Sequence, residues 1–294
     1  SNLFLFHLLN TIKIIKKNNK TEQISIRGKL IDLTKPKIMG ILNISKDSFY
    51  DGGKYNSIRD IIVQTQKMIE EGALFIDVGV ASSKPGSSLI NPEEEEIRLF
   101  PFLYPLIKEF PNTYFTVDTY NSSIAEKSLD IGVSMINDIS GGLIDSKILS
   151  VIGHHKVPYI MMHMNGIPKT MQNDVYYKDV VQEIYNFLKK QLEKASLAGI
   201  NDVIIDPGFG FGKNKEHNFE LIKNLSYLKT LNCPILVGVS RKSMIYKTLG
   251  FGPNQALNGT TVLNALSLDR GAKILRVHDV REAKECIDLW SELQ

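Results

Sequence analysis

The sequence is short of the features that would assign it to a special environment. It has only two cysteines, Cys233 and Cys286, in 294 residues. They lie far apart within apolar strand-like or helix-like patterns. Neither a disulfide framework nor a thiolate metal cage is expected, and a reducing, cytoplasmic setting is. No apolar run approaches the roughly 18 residues of a membrane span. Leu3 to Ile15 is apolar but is interrupted by His7, Asn10 and Lys13. Without a leading basic region or a small-residue cleavage site, residues 1–20 are expected to form an N-terminal arm rather than a signal peptide. Neither sign of charge dominates: 35 basic and 32 acidic residues leave a formal charge of +3. That balance argues against nucleic-acid and membrane-surface partners. No grouping of Cys, His and carboxylate residues has metal-cage spacing. No linker, low-complexity tract or short-period repeat divides the chain.

What is present is a rhythm. Residues 21–33 alternate around Arg27-Gly28 and predict a short hairpin. From Lys37 onward, short apolar runs alternate with longer segments of helical period. Strands are expected at 37–43, 74–79, 114–119, 134–140, 158–164, 202–208, 234–240 and 273–279. Helices are expected near 57–72, 92–110, 122–132, 144–154, 176–199, 217–231, 258–271 and 280–291. Within 57–72, Ile58, Ile61, Ile62, Thr65, Met68 and Ile69 share one face. Nearly all-apolar strands, each followed by a helix, are the pattern of a parallel sheet. Eight such units favour closure into an α/β (β/α)8 TIM barrel over 37–294, with a doubly wound open sheet as the competitor.

Active sites of such barrels form where the strands end. Here the apolar runs end on Asn43, Asp77, Asp118, Asn137 with Asp138, His163, Asp206, Ser240-Arg241-Lys242, and Arg276 with His278. Polar residues commonly open loops, but several of these sit inside the apolar run, as in Phe75-Ile76-Asp77-Val78. A carboxylate flanked in that way is desolvated unless something pairs with it. The ring divides by chemistry. Asp118, Asn137 and Asp206 suit a flat heterocycle with a donor-rich edge, since a carboxylate accepts two parallel N–H bonds. Lys242, Arg276 and His278, with the hydroxyls of Ser83 and Ser243, suit phosphate or another anion. A heterocycle carrying a phosphate leaving group satisfies both sides.

One stretch concentrates the signal: Ile204-Ile205-Asp206-Pro207-Gly208-Phe209-Gly210-Phe211-Gly212-Lys213. An apolar strand delivers a carboxylate to its tip, and a glycine-rich aromatic loop follows. Its spacing and its position after the sixth barrel strand are wrong for a dinucleotide fingerprint. Lys213 at its end suits a structural role at the rim as well as a substrate contact. Glu93 to Glu96 follow Asn91-Pro92 and are expected to serve a helix N-terminus. His217 is expected to cap or flank a helix. His163, beside Met161, Met162 and Met164, suits a packed strand-end histidine better than a catalytic one.

These motifs, in order over residues 24–291, resemble the dihydropteroate synthase family. The resemblance rests on Met39-Gly40-Ile41-Leu42-Asn43 running to Asp47-Ser48-Phe49-Tyr50-Asp51-Gly52-Gly53, on Val117-Asp118-Thr119, and on Ile136-Asn137-Asp138-Ile139. Met162-His163-Met164 with Pro168 and Met171-Gln172, Asp206 to Lys213, Gly238-Val239-Ser240-Arg241-Lys242-Ser243, and Arg276-Val277-His278-Asp279 complete it.

The resemblance implies that the amine of p-aminobenzoate attacks the methylene of 6-hydroxymethyl-7,8-dihydropterin diphosphate and expels pyrophosphate. It implies a pterin pocket of Asp118, Asn137, Ile139, Met162, Asp206, Gly238 and Lys242. It places Asn43, Ser83, Arg276 and His278 at the diphosphate, Asn43 also as a ligand of Mg²⁺. Phe49, Ser83, Lys84, Pro85, Phe211, Lys242 and Ser243 would form the p-aminobenzoate side. Asp118, Lys242, Arg276 and His278 would be the catalytic set. A homodimer is implied in the same way, as is membership of the class of enzymes that sulfonamides target. The chain departs from the family in two loops. Gly79-Val80-Ala81-Ser82-Ser83-Lys84-Pro85-Gly86 stands where Gly-Gly-Glu-Ser-Thr-Arg-Pro-Gly is common, and Ile44-Ser45-Lys46-Asp47 where Val-Thr-Pro-Asp is common. The alternatives are a pterin-dependent methyltransferase barrel and a catalytically silent pterin-binding barrel.

Overall fold

A computed structural model describes residues 22–44, 58–80, 87–166, 169–171 and 175–294. The expected arm over 1–20 lies outside the described residues. The hairpin forms from β1 (Gln23–Ile26) and β2 (Lys29–Asp32), paired antiparallel with Gln23 opposite Asp32. Arg27 and Gly28 both adopt positive φ, 50° and 73°. A two-residue turn needs that conformation to match the strand twist.

The body runs β3 (Lys37–Asn43), α1 (Ile58–Glu70), β4 (Phe75–Gly79), α2 (Pro92–Glu109), β5 (Tyr114–Asp118), α3 (Ser122–Asp130) and β6 (Met135–Asp138). It continues with α4 (Lys147–His155), β7 (Tyr159–Met162), α5 (Val180–Leu197), β8 (Val203–Asp206), α6 (Lys215–Lys223) and β9 (Ile235–Val237). Then come α7 (Ser243–Leu249), α8 (Leu257–Asp269), β10 (Ala272–Val277) and α9 (Val280–Ser291). Strands β3 to β10 close into one parallel barrel, β10 pairing with both β9 and β3. The closed barrel is the architecture the alternation predicts, and the open sheet is excluded.

Helix boundaries follow local chemistry. Asn91 caps α2 by accepting from the Glu94 amide at 2.8 Å, with Pro92 in the first turn. Asn214 and His217 form a reciprocal capping box on α6, so His217 is a cap. The helix expected at 217–231 divides into α6 and a 3₁₀ turn, Leu225–Leu231. Helix α7 and the 3₁₀ turn Pro253–Gln255 were not anticipated. Cys233 and Cys286 are both free thiols, and no described helix is long and apolar enough to cross a membrane.

The alternation of side chains along each strand separates two cores. Outward residues such as Ile38, Leu42, Ile76 and Val117 pack against the helices. Inward residues Met39, Phe75, Met135, Ile160, Ile204, Leu236 and Ile274 form a second cluster with Ile24, Ile26 and Leu33 of the hairpin segment. These inward residues lie in the N-terminal halves of their strands. The hairpin therefore plugs the floor of the barrel. Arg27 ties it down by donating to the carbonyls of Pro111 at 3.0 Å and Gly132 at 2.6 Å.

Candidate active site

Two residues beyond that apolar floor, the inward positions turn polar. Asp77 follows Phe75, Asn137 follows Met135, Asp206 follows Ile204 and Arg276 follows Ile274. The strand period of two thus lifts a set of polar groups onto the sealed floor, at the C-terminal ends of the strands.

Arg276 is the hub. Its Nε donates to Asp77 Oδ2 at 2.6 Å and its Nη2 to Asp118 Oδ2 at 3.1 Å. Asn137 Nδ2 donates to the same Asp77 oxygen at 2.9 Å. Burial works against the Arg276 charge, but Asp77 and Asp118 more than offset it, so its pKa is raised. Burial, with the neighbouring charge of Asp77, lifts Asp118 to about 7 against the pull of Arg276. Gly79, at the tip of β4, keeps that side clear: a Cβ there would stand 3.3 Å from Asp118 Cβ.

Across the mouth, Asp206 is 6% exposed and accepts from the Gly208 amide at 2.7 Å. Burial raises its pKa, opposed by Lys242, the Gly208 bond and Arg276. Lys242 donates to the Phe209 carbonyl and stands 4.8 Å from the Phe211 ring centroid. Desolvation brings it down to about 8, with Asp206 pulling the other way. Gly238 lines the same space, its missing side chain leaving room beside Lys242 Nζ and Arg276 Cβ. Ile139 and Met162 are buried nearby in the chain, at the ends of β6 and β7.

His278 lies two residues past Arg276, its Nδ1 2.9 Å from Ser240 Oγ. Desolvation, then the charge of Arg276, brings its imidazole down to about 4. Asn43 is exposed at the tip of β3, in register with Gly79. Ser243 opens α7 directly after Lys242. Arg241 has a left-handed φ of 53° and pairs bidentately with Asp279, both bonds at 2.8 Å. That clamp joins the loop after β9 to the end of β10 and sets the chain direction at Lys242.

The site thus brings together Asp118, Asn137, Asp206, Lys242 and Arg276, and it ranges Asn43, Ser243 and His278 along the rim. Phe49, Ser83, Lys84 and Pro85 lie outside the described residues. Three further motif residues, Asp138, Lys213 and His163, are held within the scaffold. Asp138 is fully buried and accepts from Ser140, Gly142 and Tyr159. Lys213, 3% exposed, bonds the carbonyls of Gly208 and Phe211 and contacts His163 Nδ1 at 3.0 Å. His163 packs edge-on to Phe187, the packed strand-end histidine its apolar surroundings predict. Glu95 lies in the first turn of α2 with Glu93 and Glu94, as the acidic run predicts, but faces inward. It is buried, accepts from Asn121 Nδ2, and is raised to about 7 by desolvation.

Asp77 is the residue to which the sequence alone assigned no role. Its signal was available, a carboxylate inside a β-branched run. Its partners were not, because Arg276 lies 199 positions away.

Residues 39–278 match the family described as pterin binding enzyme. Dihydropteroate synthase of Escherichia coli strain K12 is 39% identical over 263 residues, 89% of this chain and 93% of that one. Yersinia pestis dihydropteroate synthase, solved as a sulfonamide drug complex, superposes with a TM-score of 0.87 at 37% identity, covering 92% of this chain and 98% of the other. Xanthomonas albilineans dihydropteroate synthase, solved with 4-aminobenzoic acid, superposes with a TM-score of 0.85 at 33% identity, covering 93% and 98%.

Proposed function

Because this chain belongs to the dihydropteroate synthase family, we propose that the groups gathered at its barrel mouth divide the work of the family reaction as follows. The enzyme is a transferase that condenses 6-hydroxymethyl-7,8-dihydropterin diphosphate with p-aminobenzoate, giving 7,8-dihydropteroate and pyrophosphate. An aromatic amine is a weak nucleophile, so the bond to diphosphate must be largely broken when attack occurs. The site then needs positive charge at the leaving group and electron density beside a cationic methylene.

The observation that carries the assignment is the ion-paired series Asp77–Arg276–Asp118. It sets a fixed cation and a largely buried carboxylate side by side above the closed floor. Asp118, Asn137, Asp206 and Lys242 hold the pterin, with Ile139, Met162 and Gly238 around it. The carboxylates accept from the donor edge and the ammonium donates to acceptors. Arg276 and His278 hold the diphosphate. Phe211 and Ser243, with Phe49, Ser83, Lys84 and Pro85, form the p-aminobenzoate side.

Mg²⁺ belongs to the same proposal. No group of three His, Cys, Asp or Glu residues suited to a metal occurs among the described residues. The exposed Asn43 amide is a hard oxygen donor on the rim, which fits an ion held mainly by substrate phosphates. Such an ion would neutralise charge on the departing diphosphate. A homodimer and a cytoplasmic location complete the reading. Val262 and Leu266, exposed one turn apart on α8, are an apolar surface that a second copy could cover.

The test is direct. The protein is incubated with the pterin diphosphate, p-aminobenzoate and Mg²⁺, and pyrophosphate release is followed. Stoichiometric release is expected. Tight pterin binding with no release would overturn the assignment of the anion side.

A further inference from the structure

Arg276 is shared unequally. Asp77 takes its Nε at 2.6 Å and is 0% exposed, whereas Asp118 takes Nη2 at the longer 3.1 Å and keeps 16% of its side chain exposed. Asp77 also fixes Asn137, and its Oδ1 is buried with no hydrogen-bond partner among the described residues. A buried ion pair with an oxygen left unsatisfied is a poor device for stability, because desolvation offsets most of the attraction. The side chain is instead placed where it fixes the direction of a guanidinium, which presents its donors in a rigid planar fork. Asp118 can reach the mouth, and Asp77 cannot.

We propose that Asp77 is the positioning residue of the anion site: it is the permanent pivot of Arg276, while Asp118 is the partner that Arg276 exchanges for the substrate's diphosphate. With Nε held by Asp77, Nη2 needs only to swing from the Asp118 carboxylate to a phosphate oxygen. The exchange has a consequence for the reaction. The arriving leaving group removes the counter-ion from Asp118 and leaves that carboxylate's electron density free beside the pterin methylene. The same residue fixes Asn137, so the heterocycle and anion sides are set from one buried atom. This inference rests on the assignment of Arg276 to the diphosphate.

The two carboxylates make opposite predictions, which separates positioning from plain electrostatics. Removing any negative charge beside an anion site should tighten anion binding. Calorimetric titration of the full chain with inorganic pyrophosphate and Mg²⁺ reads the difference. Asp118→Asn should bind pyrophosphate about fivefold more tightly, because a competing carboxylate is gone. Asp77→Asn should bind it at least about tenfold more weakly despite the same change in charge, because a neutral amide oxygen shared with Asn137 replaces the charge-assisted bond that pivots the guanidinium. Arg276→Lys keeps the charge but has no fork, and should weaken binding to a similar degree, which keeps the test intact if Asp77→Asn does not fold. Tighter or unchanged binding in Asp77→Asn, wild-type affinity in Arg276→Lys, or no gain in Asp118→Asn would each overturn the inference. A wild-type protein that binds no pyrophosphate would instead overturn the anion-site assignment itself, and the inference with it.

Discussion

Asp118 and Lys242 are the two groups of the site that titrate on either side of the working range. Burial and the charge of Asp77 hold Asp118 near 7, and desolvation holds Lys242 near 8. Asp118 must be ionised to accept from the pterin's donor edge, so activity should rise as pH climbs through about 7. Lys242 must be protonated to donate, so activity should fall as pH passes about 8. A narrow bell-shaped profile of kcat/KM for the pterin diphosphate is therefore expected, measurable between about pH 5.5 and 9.5. Asp118→Asn should lose the acid limb and lower turnover by about a hundredfold, with a smaller loss of pterin affinity. An acid limb unchanged in the variant, or full turnover with only weakened binding, would rule out this role. At this scale the sequence was informative wherever one residue carried the signal alone. Asp118, Asp206 and Arg276 each stood at the end of an apolar run. Asp77 carried an equal signal, but its meaning lies in a pairing that only barrel closure creates.

The loop between β8 and α6 shows how an element converts composition into geometry. Gly208 has φ +71°, and a Cβ there would lie 1.9 Å from the His163 carbonyl; Gly212 has φ +62°, and a Cβ would lie 2.6 Å from the Asn165 carbonyl. The loop can lie against the segment after β7 because those side chains are missing. Lys213 then fastens it from beneath, bonding the carbonyls of Gly208 at 2.8 Å and Phe211 at 2.9 Å. Burial drives the Lys213 pKa well below its ordinary value, so the ammonium depends on those acceptors. Lys213→Met takes the ammonium donor from the Phe211 carbonyl and leaves the Gly208 carbonyl with the Phe211 amide alone, and should cost about 1–3 kcal/mol of stability. Phe211 and the Phe209 carbonyl that holds Lys242 would both shift, so KM for p-aminobenzoate should rise while His278 and the floor stay in place. Denaturant unfolding and steady-state kinetics check both effects; an unchanged KM would leave Lys213 without influence on the pocket. The glycine pattern marks a loop at the strand tip, but only the fold shows what it packs against. Helix α7 leaves no trace in the sequence for a different reason. Its seven residues are too few to establish a period of 3.6.

At the scale of the whole molecule, the barrel has two storeys with separate duties. The lower one is apolar and closed by the hairpin, and the upper one is polar and open to substrates. The strand–helix alternation made the closed sheet readable, because eight nearly all-apolar runs leave no face of a parallel sheet for solvent. The hairpin's task was not readable. Alternation at Ile24 and Ile26 says that one face is covered, not that the cover is the inside of a barrel. This division predicts that stability and catalysis can be changed independently. Ile24 is 1% exposed and belongs to the floor cluster with Met39, Phe75 and Ile274. Ile24→Ala opens a cavity there and should cost about 2–4 kcal/mol. The polar groups stand on their own strands, one inward position higher, and Arg276 is held by Asp77 and Asp118 rather than by the hairpin. Both substrate KM values and the turnover number, measured well below the unfolding transition, should therefore stay within about twofold of wild type. A variant of unchanged stability with altered kinetics would mean that the hairpin reaches the site, and the two-storey division would fail.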